Sequence, residues 1–484
     1  MTPRRVAVTM TSALALALGA AGSPAAAHTT TPGRSVLGPA RPPARILAAP
    51  AWRPGEVIVG YRSLSGSMRA AAAYRRMGVR QAGPASAPRS RVLRLRPGQS
   101  VSATIARLRR QPGIAYAEPD YIAHQAGAWI PNDPGRGHVA QGWQKMQWNL
   151  LPLTGVDAPD AWGNLFGARH PGGRGVTVAV LDSGIAYRNW KQFHQSPDFR
   201  GTRFVDPYDF VAHNKFPLDR NGHGTFVAGI IAAATNNGVG LTGLAYGATI
   251  MPVRILDASG LGDEVTIARA IRYAVNHGAQ IINLSLEFLP NEVSSASDIP
   301  EIVSAISYAH ARGVVVVGAA GNDQASEIAY PARARGVISV GATTRDVCLA
   351  DYSNGGTGLD LVAPGGGSDA IMPADPLCHP DRGLPSISQL TLTPPRWGRF
   401  GYPGYYIGTS MSAPEVSATA ALVIASGVIG RHPSPAALLT RLEETATPLG
   451  GSSPNMDYGY GIVNAANATS RRPVISPAFA GRVP

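Results

Sequence analysis

Three residues in this chain sit where acyl-transfer chemistry needs them. Asp182 closes the apolar run Gly175 to Leu181 and precedes Ser183-Gly184. His223 lies in Asn221-Gly222-His223-Gly224-Thr225, just ahead of a helical stretch, and Ser410 lies in Gly408-Thr409-Ser410-Met411-Ser412-Ala413-Pro414, at the start of another. A serine hydroxyl is a poor nucleophile until a base takes its proton. A neutral imidazole does this near pH 7, and a buried carboxylate fixes its tautomer and stabilises the imidazolium. The oxyanion needs a donor, and Gly318-Ala319-Ala320-Gly321-Asn322 ends a strand-like run with a side-chain amide suited to act beside the Ser410 N–H. Singly, each motif has an ordinary explanation as a turn, a cap or a helix start. Four of them, in order and each in an extended pattern, point to nucleophilic catalysis.

The elements that must position these groups are legible around them. From about Leu150 to Asn467 strands and helices alternate: strands at 175–181, 249–256, 280–286, 313–319 and 336–342, helices at 225–234, 265–276, 300–311 and 411–426. Continuous β-branched strands between helices predict a parallel sheet covered on both faces, with functional groups gathered where strands end and helices begin. Ahead of this lies a smaller α+β pattern. Strands are expected at 56–61, 91–95 and 113–119, and helices at Met68 to Met77 and Val101 to Arg110. A loose Gly/Pro stretch after Tyr121 marks the boundary.

Composition bounds the function. The chain has 484 residues, 44% hydrophobic and 15% charged, with a net charge of +13. That charge suggests nucleic acid or membrane until its location is read. Residues 28–127 hold 16 Arg, no Lys and three acids, leaving 25 bases against 27 acids from Ala128 onward. The larger domain therefore does not read as a nucleic-acid binder. Arg4, Arg5, an apolar run from Val6 to Ala20 and the small residues Ala25 to Ala27 read as an export signal over 1–27. No later run is long enough to span a membrane. Residues 28–53 are a Pro/Ala-rich spacer. Cys348 and Cys378 are either a disulfide or two separate thiols; the even count and the export context favour the disulfide.

The motifs Val-Leu-Asp-Ser-Gly (180–184), Asn-Gly-His-Gly-Thr-Phe-Val-Ala-Gly (221–229), Ala-Ala-Gly-Asn (319–322) and Gly-Thr-Ser-Met-Ser-Ala-Pro (408–414) resemble those of the subtilases over roughly residues 130–467, in the chain order Asp, His, Ser that this fold uses. The resemblance implies a three-layer α/β subtilisin-like fold with a central parallel sheet over 128–470, followed by a tail at 471–484. It implies a secreted serine endopeptidase with the triad Asp182, His223 and Ser410, with Asn322 in the oxyanion site. It places Leu284, Ser285, Leu286 and Glu287 with Gly318, Ala319, Ala320 and Gly321 in the substrate cleft. Residues 54–127 resemble the family's propeptide, of ferredoxin-like α+β fold, which assists folding and then inhibits. Self-cleavage is then expected between about His124 and Pro131.

Structural Ca²⁺ is implied by Thr235-Asn236-Asn237-Gly238-Val239-Gly240-Leu241, with Asp198, Thr235, Asn237, Val239 and Leu241 as ligands; the alternative is an ordinary Asn-Gly turn. No cofactor is expected for catalysis. Partners are protein or peptide substrates and the chain's own propeptide, with no nucleic acid and no membrane span, in a monomer. Two positions depart from the family. Glu287 stands where relatives usually carry Gly, either favouring basic substrate residues or pointing to solvent. Glu415, where relatives often have His, is expected in the first turn of the Ser410 helix, where a carboxylate suits the helix dipole. Tyr330-Pro331 matches a cis proline of the family. A non-catalytic protein-binding relative is the rival, and the intact triad speaks against it.

Overall fold

The computed structural model describes residues 52–63, 74, 77–84, 89–121, 128–137, 139–166, 170–372, 378–380 and 382–473. The expected export signal, most of the spacer, residues 122–127 and the tail beyond 473 lie outside these. The chain divides into two compact units between residues 126 and 127.

The smaller unit contains β1 (Trp52–Tyr61), β2 (Arg80–Pro84), β3 (Ser90–Arg94), α1 (Val101–Arg109) and β4 (Ile114–Tyr121). The strands form an antiparallel sheet in the order β2-β3-β1-β4. Val57 and Val59 alternate inward along β1 and meet Leu93, Ile105, Leu108 and Ala117 in one core, as period-two patterning requires. The Ser100 hydroxyl caps α1 by accepting from the Ala103 N–H. Of the expected helix Met68 to Met77 only Tyr74 and Met77 are described; both are helical and buried. Strand β2 was not foreseen, because Gln-Ala-Gly-Pro lacks strand-forming residues and is held by pairing with β3.

The larger unit runs through α2 (Ala158–Asn164), β5 (Thr177–Asp182), β6 (Arg203–Phe204), β7 (Tyr208–Asp209), α3 (His223–Ala232), β8 (Thr249–Arg254), α4 (Glu264–Asn276), β9 (Ile281–Leu284), α5 (Pro300–Ala311), β10 (Val315–Ala319), β11 (Val337–Thr343), β12 (Leu361–Pro364), β13 (Thr391–Thr393), β14 (Arg396–Gly401), α6 (Thr409–Ser426), α7 (Pro435–Thr445) and α8 (Ala465–Thr469). The central sheet has the order β12-β11-β10-β9-β5-β8-β6, with β7 also on β8. Its pairings are parallel.

Each central strand feeds two cores. Val178 and Val180 of β5 and Val315 and Val317 of β10 enter the core that contains α6. Ala179, Leu181 and Val316 enter the core under α4 and α5. Burial on both faces explains why these strands read as unbroken apolar runs. The layers therefore agree with the expected α/β architecture.

Two helices begin earlier than the sequence suggested. His223 is the first residue of α3 and Ser410 the second of α6, because Gly222 and Gly408 form the N-caps with positive φ. Helix α6 is buried almost all round, which small residues such as Ala and Ser allow. Glu415 corrects an expectation. It lies beyond the first turn of α6 and is fully buried, so the helix dipole does not account for it. Its Oε1 accepts from Asn149 Nδ2 at 2.7 Å. Glu415 Oε2 and Asn149 Oδ1 are both without partners. Two lone acceptor oxygens, one on each partner, call for a proton between them, which on Glu415 would give a neutral acid–amide pair. Burial accordingly raises the Glu415 carboxyl well above its ordinary value.

This has a consequence for pH dependence. The folded state keeps a proton that the unfolded state releases. Glu415 therefore contributes full stability below the ordinary Glu value, and that contribution falls as pH rises towards the folded value. Glu415→Gln reproduces the neutral pattern permanently. Unfolding titrations in an inactive Ser410→Ala background should show the stability of the Gln variant falling less with rising pH than that of its parent. Parallel curves would mean Glu415 is ionised in the fold.

Candidate functional site

The acid and the imidazole meet at the end of β5. His223 Nδ1 lies 2.9 Å from Asp182 Oδ1 and 3.0 Å from Oδ2, and both side chains are buried. Asp182 Oδ1 also accepts from the Ser183 N–H at 2.7 Å. With the carboxylate as acceptor, Nδ1 carries the proton and Nε2 presents its lone pair. Gly224 makes the approach possible, since a Cβ there would lie 2.2 Å from the Gly184 carbonyl oxygen.

A second buried carboxylate holds this corner, and sequence reasoning missed it. Asp219 accepts from the Ser183 hydroxyl, from the Asn221, Gly222 and Thr225 N–H groups and from the Thr225 hydroxyl. Burial raises its carboxyl, and these donors pull it back. Asp219 thereby ties the residue after Asp182 to the loop that delivers His223. The signal available was an Asp two residues before Asn-Gly-His, a pattern that also fits any Asx turn. From the other side, the Thr391 hydroxyl of β13 donates to the Gly222 carbonyl.

The hydroxyl is placed by an enforced gap in α6. Pro414 has no N–H, so the Ser410 carbonyl loses its i+4 donor. Ser285 Oγ supplies the missing bond at 2.8 Å. Asn283 Nδ2 donates to Ser285 Oγ at 2.9 Å, and Ser417 Oγ donates to Asn283 Oδ1 at 2.8 Å. Helix α6 is thus bonded twice to the end of β9. Val180 of β5 is opposite Asn283 of β9, so Asp182 and Ser285 leave neighbouring strands side by side. This ties Ser410 to the residue that follows β9, the strand next to the one that ends in Asp182. The Ser410 hydroxyl donates to the Ser285 carbonyl at 3.3 Å. Among the hydrogen bonds of the described residues, none joins it to the imidazole.

Asn322 follows β10. Its Oδ1 accepts from the Thr409 N–H at 2.8 Å and the Thr409 hydroxyl at 3.1 Å. The amide is therefore anchored to the residue before Ser410. Its other end meets Glu287, whose Oε1 accepts from Nδ2 and Oε2 from the backbone N–H, each at 2.9 Å. Glu287 is only 2% exposed, so it does not point to solvent. Desolvation pushes its carboxyl up to about 7 against the pull of the Asn322 donors. Leu284 pairs with Gly318 across β9 and β10, which sets Leu284-Ser285-Leu286 beside Gly318-Ala319-Ala320-Gly321. The Phe288 N–H donates to the carbonyl of Tyr330, whose bond to Pro331 is cis. Cys348 and Cys378 are paired with Cα atoms 5.8 Å apart, within disulfide range. They cluster with Asp369, but sulfurs engaged with each other are not metal ligands.

The loop 235–241 closes on two carboxylates. Asp198 Oδ2 accepts from the Leu241 N–H at 3.0 Å, while Oδ1 is buried without a partner. Gly240 is required here, because a Cβ would lie 1.7 Å from Asp198 Oδ1. Asp133, missed in the sequence, accepts from the Asn236 and Asn237 N–H groups at 2.7 and 3.1 Å. Asn237 Oδ1 accepts from the Val239 N–H, and the Thr235 hydroxyl bonds within the same corner. Burial pushes Asp198 up to about 7, reinforced by the Asp133 charge, and also raises Asp133. An orphaned buried oxygen beside a second carboxylate fits a hard cation.

A parallel α/β sheet carrying a carboxylate–imidazole pair and a helix-start serine at its carboxyl edge defines a serine endopeptidase. Residues 173–461 match the Subtilase family and residues 41–120 the fervidolysin N-terminal prodomain. The chain belongs to the Subtilase family, and it carries a prodomain of that second type. It is 33% identical over 420 residues to a thermophilic serine proteinase of Bacillus sp. (strain AK1), covering 87% of this chain and 88% of that protein. It is 37% identical over 299 residues to subtilisin Savinase of Lederbergia lenta, covering 61% of this chain and 91% of that one. A solved protease structure from Pseudoalteromonas arctica superposes with TM-score 0.56 at 29% identity, covering 70% of this chain and 99% of that one. Among the described residues no helix is long and apolar enough to cross a membrane.

Removing the Ser285 hydroxyl should be costly. Ser285→Ala leaves the Ser410 carbonyl and the Asn283 amide each short of a partner, at a cost of about 1–3 kcal/mol. Because the carbonyl belongs to the backbone, the loss is measurable by denaturant unfolding in a Ser410→Ala background that cannot digest itself. An unchanged midpoint would mean the helix start relaxes to find another donor.

Proposed function

We propose that Ser410, His223 and Asp182 carry out peptide-bond hydrolysis as a triad. His223 Nε2 takes the Ser410 proton as Oγ bonds to the substrate carbonyl carbon. The same imidazolium then protonates the leaving amine. Asp182 holds Nδ1–H throughout and stabilises the imidazolium. Asn322 Nδ2 and the Ser410 N–H receive the oxyanion. Water, activated by His223, releases the acyl group and restores Ser410. The observation that carries this reading is the bidentate approach of the Asp182 carboxylate to His223 Nδ1, beside a serine fixed to the neighbouring strand. An extended substrate pairs through its backbone with Leu284-Ser285-Leu286, flanked by Gly318 to Gly321.

The finer reading is a secreted, self-processing zymogen. Residues 1–27 direct export, 28–53 form a spacer, and 54–127 are a propeptide that acts as intramolecular inhibitor. Cleavage falls between about His124 and Pro131. The catalytic domain covers 128–470, the tail 471–484, and Cys348–Cys378 is oxidised outside the cell. The mature chain is a monomer acting on proteins or peptides. A fluorophosphonate label and a gel test this together. The wild type should label and mature, whereas Ser410→Ala should do neither and should accumulate as precursor. Equal labelling of both, or unaided maturation of the mutant, overturns the assignment.

We further infer a structural Ca²⁺ at the 235–241 loop. Asp198 and Asn237 would supply side-chain oxygens and Thr235, Val239 and Leu241 backbone carbonyls, with the Asp133 carboxylate alongside. When bound, the cation neutralises two buried acids and stabilises the loop; it takes no part in bond cleavage. Chelation should lower the melting temperature of the Ser410→Ala protein and added Ca²⁺ should restore it. Asp198→Asn should melt lower in Ca²⁺ and lose most of its response to the chelator. A wild-type melting temperature indifferent to chelator would remove the metal from this loop.

A further inference from the structure

Glu287 is a buried acid with an unusual allocation of bonds. Both of its carboxylate oxygens serve one residue, accepting the Nδ2–H and the backbone N–H of Asn322. Among the described residues no cation forms an ion pair with it. Gly321 allows the approach, because a Cβ there would lie 2.7 Å from Glu287 Oε2. The opposite end of the same amide is held by Thr409, through its N–H and its hydroxyl. A primary amide offers two N–H hydrogens and one oxygen. With Oδ1 fixed by Thr409 and one hydrogen fixed by Glu287, the plane of the carboxamide is determined and one Nδ2 hydrogen remains for a ligand.

We propose that Glu287 is a positioning residue for the oxyanion amide, its two oxygens clamping Asn322 so that the remaining Nδ2 hydrogen is aimed at the substrate carbonyl. This rests on the reading of Asn322 given above. The clamp is specific for a carboxylate. A glutamine at 287 has one acceptor oxygen and sets an NH2 group against the second donor of Asn322. Leaving a desolvated charge beside a site that must stabilise negative charge is unfavourable in itself. Two short bonds to a single residue offset that cost only where orientation of that residue matters, and oxyanion donors act through orientation.

The test is a double-mutant cycle read in kcat. Wild type, Glu287→Gln, Asn322→Ala and the double variant are matured from the full chain. Active sites are counted with the fluorophosphonate label. Hydrolysis is followed on two extended peptides, one with Leu and one with Lys before the cut bond. Glu287→Gln should lower kcat about tenfold on both peptides with KM changed less than about twofold, and should change kcat less than about twofold in the Asn322→Ala background. An equal fall in both backgrounds, an unchanged kcat, or a loss confined to KM for the Lys peptide overturns the proposal; the last would mean that Glu287 instead recognises a basic side chain. If Glu287→Gln does not mature, Glu287→Asp replaces it under the same criteria. An Asn322→Ala enzyme with wild-type kcat would instead refute the oxyanion assignment, and an unlabelled wild type would refute the nucleophile.

Discussion

A proline that cannot donate a hydrogen bond sets the geometry of this site. Pro414 leaves the carbonyl of Ser410 without its helical partner, and the hydroxyl of Ser285 takes the place of that donor. A helix of buried small residues could otherwise slide or rotate over the sheet at little cost, since dispersion contacts are individually weak and undirected. The bond from Ser285 is directed, and it joins the residue that bears the hydroxyl to the strand beside the residue that bears the acid. The Ser417–Asn283–Ser285 chain repeats the tie two turns further along α6. Ser410, far along the chain from both Asp182 and His223, is thus located by a defect in its own helix.

Among the described residues, Asp219, Glu287 and Glu415 are buried acids without cationic partners. Asp219 and Glu287 each keep a desolvated carboxylate by collecting N–H or O–H donors from a loop that must not move. Glu415 solves the same problem by holding a proton. The two solutions differ in their donors. Asp219 gathers donors from loop backbone and neighbouring hydroxyls, while Glu415 faces one amide in the buried interior around α6. A carboxylate that collects backbone donors restrains several residues at once, which a hydrophobic contact of equal energy cannot do. Loops carrying chemistry need this kind of restraint, because they lack the periodic bonds of helices and strands.

The parallel sheet and its helices were legible because burial on both faces writes continuous β-branched runs, whereas the starts of α3 and α6 were each read two residues late, because their glycine caps admit His223 and Thr409 to the helix. The partners of the motifs were far less so. Asp219 and Asp133 act through backbone donors brought from elsewhere in the fold, and nothing in their local sequence distinguishes them from turn residues. Glu287 was noticed as a departure, but whether its side chain turned to solvent or inward depended on Asn322, 35 residues away. Glu415 was placed one turn too early because α6 begins at Thr409, where the Gly408 cap with its positive φ lies, and not at the first large apolar residue. Strand β2 and the β13–β14 hairpin depend on pairing and not on composition, and neither was seen.

Exposure across Asp182, His223 and Ser410 is graded in the order the proposed triad would need. Asp182 is sealed at 1%, His223 is 6% exposed, and Ser410 is only partly covered. The acid never needs to meet substrate, and water at its oxygens would weaken its hold on Nδ1–H by competing for the same proton. The imidazole needs one open edge, from which Nε2 can take a proton. The serine must admit a carbonyl group and then a water molecule. Its hydroxyl rests on the Ser285 carbonyl, a neutral acceptor, and in the proposed mechanism it leaves that carbonyl for the imidazole. Catalytic hydrogen bonds commonly tighten only once substrate is bound, and a serine hydroxyl resting on the Ser285 carbonyl accords with a proposed triad that completes itself on binding.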